Sequence, residues 1–325
     1  MFSIFCVVFI LGLLFGSLST VLVERWHSGR GGILMWRSEC PKCLHRLSAS
    51  ELIPLFSYIF QRGSCRHCHA KISLLYPLSE IFMGCIFVTM SSIGWMMWID
   101  FFSLGHLCLL ALGFTTWVYI LYDIRYMEIP DQIMIPSILG YMGLLIASFY
   151  FTGIGYILFD RFAYEWSSWA FIFDHIIGAW ILYTFLYIQI LIPGGWYLAR
   201  RGRMRDLLEL IASYVLFPFM IVYSYFFGER WSAETEPIPT WVGGGDLRIA
   251  IFIGLTLGVV HGIASFVFAY IIGSIVGIMY LVRKSYISWM SSEIPFWPFL
   301  GIGWFLSMIF HSEIITYVER FSPYF

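Results

Sequence analysis

Two Cys-x-x-Cys pairs stand near the start of the chain, Cys40 and Cys43 in "SECPKCLHRL", and Cys65 and Cys68 in "GSCRHCHAKI". Two residues between thiols let both sulfurs face one tetrahedral ion. A second pair roughly 20 residues further on closes the coordination sphere, as in zinc ribbons. Four thiolates leave no open position, so the expected metal is a structural zinc and not a catalytic one. Disulfides are the alternative, and a reducing compartment disfavours them. His45, His67 and His69 lie among these cysteines; with four thiols available they read as solvated neighbours. Cys6, Cys85 and Cys108 fall in apolar runs and read as small buried hydrophobes.

Two carboxylates carry a second chemistry. Asp123 ends an apolar run in "YDIRYMEIPDQIMIP", and Asp246 opens another in "WVGGGDLRIAIF". A carboxylate at membrane depth is expensive unless solvated or paired, which makes it a functional candidate by default. Two carboxyls close together cannot both ionise easily. One then acts as general base on a water while its protonated partner polarises a carbonyl. Either aspartate alone also reads as an N-cap or a solvated helix end. That reading is preferred for Asp131, which precedes the next apolar run, and Asp174 and His175 in "WAFIFDHIIGAW" read as helix-end polar groups.

The elements that must position these groups are membrane spans. Of 325 residues, 60% are hydrophobic and 12% charged, against roughly 25% charged in soluble domains. Apolar runs over 2–23, 78–99, 104–121, 133–151, 169–191, 207–227, 249–281 and 298–310 give about eight transmembrane helices by the ~20-residue criterion. The formal net charge of −1 gives no reason to expect a nucleic-acid partner. Basic residues are instead local: Arg25, Arg30, Arg37, Lys42, Arg46, Arg62, Arg66 and Lys71 crowd the cysteine segment, and positive charge beside spans marks the cytosolic side. Met1 to Thr20 has no basic leader region, so it reads as a first span with its amino terminus outside. Counting sides from there puts Asp123, Asp131 and the Arg200 cluster at the cytosolic face. The segment 207–227 contains Glu209 and Pro218 and reads as re-entrant or interfacial, with a full span as its rival.

These motifs together resemble the bacterial type IV prepilin peptidases, the leader peptidase/N-methyltransferases of the GxGD aspartyl membrane peptidase family. The resemblance follows "FGSLSTVLVERW", the cysteine block with "IPLFSY" and "YPLSE", "YDIRYMEIPD", "GGGDLRIA" and "IPFWPFLGIG" in order along the chain. It implies Asp123 and Asp246 as catalytic aspartates and Cys40, Cys43, Cys65 and Cys68 as the metal ligands. Prepilins or pseudopilins would be the substrates, cut at the cytosolic face of a bacterial inner membrane, with S-adenosylmethionine as donor for methylating the new amino terminus. Three departures stand out: Arg248 replaces a usual Lys, Thr20 a common Asn, and the stretch before Gly243 is longer than the family's.

The expected architecture is therefore an all-α polytopic membrane protein with a small cytosolic zinc-binding insert of four cysteines. A first helix at 1–23 precedes a tetracysteine domain at 24–77 and a peptidase membrane domain at 78–325, whose 206–242 portion is an atypical insertion. Rival functions are a peptidase without methyl transfer, a transporter whose aspartates line an ion path, and a scaffold whose zinc module docks a partner.

Overall fold

The structure, a computed structural model, describes residues 2–29, 38–96, 104–128, 131–150, 168–214, 244–283 and 295–321. These residues are helical apart from turns, one 3₁₀ turn and two isolated β-bridges. They form two compact units, with a division between Met127 and Glu128.

The first unit carries α1 (Phe2–Ser28), the short α2 (Phe56–Phe60), α3 (Leu75–Met96) and α4 (Leu104–Tyr126). Gly12 and Gly16 stand one turn apart on α1 and bring it into backbone contact with α3. A Cβ on Gly16 would lie 2.5 Å from the Cα of Glu80, and one on Gly12 2.6 Å from that of Gly84. Apolar surface gives little drive for helices to associate in lipid, so close backbone packing takes its place. Ser79 of α3 joins three helices: it donates to the Gly16 carbonyl at 3.2 Å, meets Ser19 Oγ at 3.1 Å, and accepts from Trp117 Nε1 at 3.0 Å. The outer face of α1 leaves Val7, Ile10 and Leu14 exposed, as a lipid-facing surface requires. Cys6 and Cys85 are exposed and Cys108 half-buried; the expectation that they are buried hydrophobes fails because they occupy outward faces of their helices.

The second unit carries α5 (Asp131–Tyr150), α6 (Ser168–Arg200), α7 (204–214), α8 (Gly244–Arg283), α9 (Trp297–Ile309) and α10 (His311–Phe321). Asp131 opens α5. The apolar run within α8 is long enough for two short spans, and α8 is two helical segments joined at a kink at Gly258, whose φ of 70° and ψ of −168° are not helical. In an unbroken helix the Val259 N–H would bond the Leu255 carbonyl. Here Asp174 on α6 accepts from Val259 N at 3.3 Å, and His175 Nδ1 stands 2.8 Å from the Leu255 oxygen. A carbonyl can only accept, so His175 Nδ1 is the donor. Neighbouring residues of α6 thus satisfy both halves of the backbone bond that Gly258 breaks. Asp174 and His175, expected as helix-end polar groups, are braces within a helix pair.

Among the described residues, five helices are long and apolar enough to cross a bilayer: Ser3–Ser28, Leu75–Gly94, Gly105–Tyr126, Phe171–Arg200 and Gly245–Tyr280. A sixth is reached if α9 and α10, bent by 75° from one another, act as one broken span. The described residues thus carry five or six of the eight expected spans by this criterion. The run at 249–281 is kinked at Gly258, α5 has 20 residues, and α9 has 13, about 20 Å of rise. Of the expected re-entrant segment, 207–214 is helical and packs on α6: Tyr183 donates to the Tyr214 carbonyl at 2.8 Å, Thr184 Oγ1 meets Tyr214 Oη at 2.7 Å, and Tyr187 bonds the Leu210 carbonyl. Residues 215–227, Pro218 among them, lie outside the described residues.

Candidate functional site

The cysteines build the best-defined site. Each pair sits in the same kind of eight-residue turn. Glu39 bridges Arg46 and Ser64 bridges Lys71. Cys40 N bonds the His45 carbonyl and Cys65 N the Ala70 carbonyl, both at 2.9 Å. The turns are closed by Leu44 N on the Cys40 carbonyl at 2.9 Å and by His69 N on the Cys65 carbonyl at 3.0 Å. Leu44 and His69 take φ of 57° and 55° to do so. The two loops face each other, and all four Sγ atoms fall within 4.8 Å of one another, with Cys40 and Cys68 3.9 Å apart. The Cys43 backbone N–H, against burial and with help from that of Lys42, lowers the Cys40 thiol to about 7, while Cys43 in the same cluster is pushed up to about 11. Four soft donors in this arrangement fit a tetrahedral zinc.

The insert is tied to the membrane helices through a residue to which the motifs alone assign no role. Glu80, 8% exposed on α3, accepts the Leu55 N–H at 2.8 Å. Leu55 takes φ of 61° where the "IPLFSY" stretch turns into α2. The "IPLFSY" and "YPLSE" motifs are therefore two halves of one contact. A glutamate inside an apolar helix was the available signal.

Asp123 lies in the last turn of α4 and is 7% exposed. Its carbonyl accepts Met127 N at 2.9 Å, and Met127 with φ of 52° ends the helix there. Residues from three helices gather around this end. Tyr76 Oη donates to Glu24 Oε2 at 3.2 Å, Arg125 Nη1 stands 4.0 Å from the same oxygen, and His27 stacks on Tyr126 with centroids 3.6 Å apart. Thr20 is buried on α1 and donates to the Ser17 carbonyl at 2.8 Å.

Asp246 sits in the first turn of α8, half-buried together with Arg248. A negative charge there is favoured by the unpaired N–H groups of the helix start. Asp123 belongs to the first unit and Asp246 to the second, so the four cysteines are the predicted site residues that one unit brings together. Gly243 lies outside the described residues.

Residues 10–93 match the family described as Bacterial Peptidase A24 N-terminal domain. A prepilin leader peptidase/N-methyltransferase of Bacillus subtilis (strain 168) is 24% identical over 291 residues, covering 89% of this chain and 88% of its own. One of Stutzerimonas stutzeri is 31% identical over 164 residues, covering 43% of this chain and 53% of its own. One of Aeromonas salmonicida (strain A449) is 35% identical over 117 residues, covering 34% and 36%. No solved structure matches. The likeness to prepilin peptidases read from the motifs is thus borne out by comparison over most of the chain.

Proposed function

We propose that this protein is a membrane aspartyl endopeptidase that removes the leader from type IV prepilins or pseudopilins at the cytosolic face of a bacterial inner membrane. What carries the reading is the match along 89% of the chain to a prepilin leader peptidase/N-methyltransferase. It is supported by an aspartate with 7% exposure at the end of an apolar helix, a costly placement without a task.

In the proposed chemistry Asp123 and Asp246 share one proton. The ionised carboxylate takes a proton from water, and the water oxygen attacks the scissile carbonyl carbon. The protonated partner gives its proton to the carbonyl oxygen, and the tetrahedral diol collapses as the C–N bond breaks and the leaving amine takes up a proton. One carboxyl is again protonated at the end, ready for another turnover. The substrate's apolar segment would lie in the bilayer, which suits carboxylates at helix ends.

Cys40, Cys43, Cys65 and Cys68 would hold zinc, whose binding energy is folding energy for the insert. Methylation of the new amino terminus extends the proposal on the relatives' printed names. S-adenosylmethionine would supply the methyl group, and the described residues form no glycine-rich cradle after a strand that would hold it. Incubating the purified chain with a synthetic prepilin, with and without labelled S-adenosylmethionine, tests both halves. The expected product lacks the leader and gains one labelled methyl on its amino terminus. An intact prepilin contradicts the peptidase, and an unlabelled cleaved product contradicts the methyl transfer alone.

A further inference from the structure

Beside the tetracysteine cluster three more residues converge, each from a different turn: His45 after the first cysteine pair, His67 inside the second, and Glu51 closing the 3₁₀ turn Ala49–Glu51. One ligand atom from each lies within 4.8 Å of the others. The two imidazoles are 3.4 Å apart between centroids and tilted by 34°. Glu51 is 8% exposed. Its Oε2 accepts from Ser48 N at 2.9 Å and Ser48 Oγ at 2.8 Å, while its Oε1 is buried without a hydrogen-bond partner among the described residues. A buried carboxylate oxygen that has lost its water and gained no donor is poorly accommodated unless a cation meets it.

We propose that His45, Glu51 and His67 form a second metal site, separate from the four thiolates, for a borderline divalent transition ion such as Zn²⁺ or Co²⁺. Two imidazole nitrogens and a carboxylate oxygen are the donors such ions take, at about 2.0–2.2 Å each. Tetrahedral ligands at that radius stand roughly 3.4 Å from one another. Closing to that spacing takes rotation of two exposed imidazoles, while Ser48 keeps Glu51 in place. The fourth position is left to water, so this ion exchanges more readily than one held by four thiolates.

This site stands apart from the peptidase reading, because its test reads metal and not cleavage. The full chain in detergent, stripped of metal, is titrated with Co²⁺ and followed by absorption. The first equivalent should bring the near-ultraviolet thiolate-to-cobalt band. A second should saturate with visible d–d bands and no further thiolate band, and His45→Gln/His67→Gln should stop after one. Glu51→Gln keeps the side chain's size and an acceptor for Ser48, and should weaken the second equivalent by about tenfold or more, the scale of losing even a ligand's supporting partner. Saturation of the wild type at one equivalent overturns the proposal, as does an unchanged second equivalent in the double variant. Should the double variant lose the thiolate band as well, Glu51→Gln decides: unchanged affinity for the second equivalent overturns the site.

Discussion

At Asp174 the distinction between a residue's type and its task is sharpest. From sequence it is one acidic group near a helix start, but the bend at Gly258 gives it a specific partner. The reason it escapes a sequence reading is physical: nothing in "TLGVVHG" shows which of its backbone bonds a neighbouring helix will complete. Asp174→Ala leaves Val259 N–H without its acceptor and should cost about 1–3 kcal/mol, seen as a lower unfolding temperature in detergent. Asp174→Asn keeps an acceptor and should lose less. Gly258→Ala should be worse than a simple overpacking, since its Cβ would stand 2.0 Å from Asp174 Oδ2 at a φ of 70°. The cysteines were legible for the opposite reason, because a four-residue turn fixes where two sulfurs point before any distant contact forms.

Helix existence was well marked by apolar runs, but helix pairing was not. Only with α1 against α3 does it emerge that Gly12 and Gly16 are contact residues. Gly16→Leu should force the two backbones apart and cost about 1–3 kcal/mol or more, measured as loss of folded protein on heating in micelles. Apolar runs alone do not say where a helix kinks, as at Gly258, or bends, as between α9 and α10. The tetracysteine insert acts as an element of its own. Zinc should be retained at about one thiolate-bound ion per chain. Cys40→Ser/Cys65→Ser should lose that ion and expose the insert to protease, while metal retained by four-thiolate spectroscopy in that variant would contradict the assignment. Since Glu80 links Leu55 to α3, Glu80→Ala should also loosen the insert without removing the metal.

For the molecule as a whole, a multi-pass helical membrane protein was legible from hydropathy alone, and the peptidase likeness from motifs spread over nearly the full length. The distance between its two aspartates was not legible, because spacing along a chain says nothing about separation across a bilayer, and the residues fall in separate units. A shared-proton mechanism requires both carboxyls, so neither substitution should be rescued by the other residue. The decisive measurement is the mass of a synthetic prepilin after incubation with wild type, Asp123→Asn and Asp246→Asn, each shown to be inserted and to keep the wild-type unfolding temperature. The account predicts leader removal by the wild type and a loss of about 10²–10⁴-fold or more in each variant, the range for removing a general acid or base. Leader removal at the wild-type rate by either variant would contradict it.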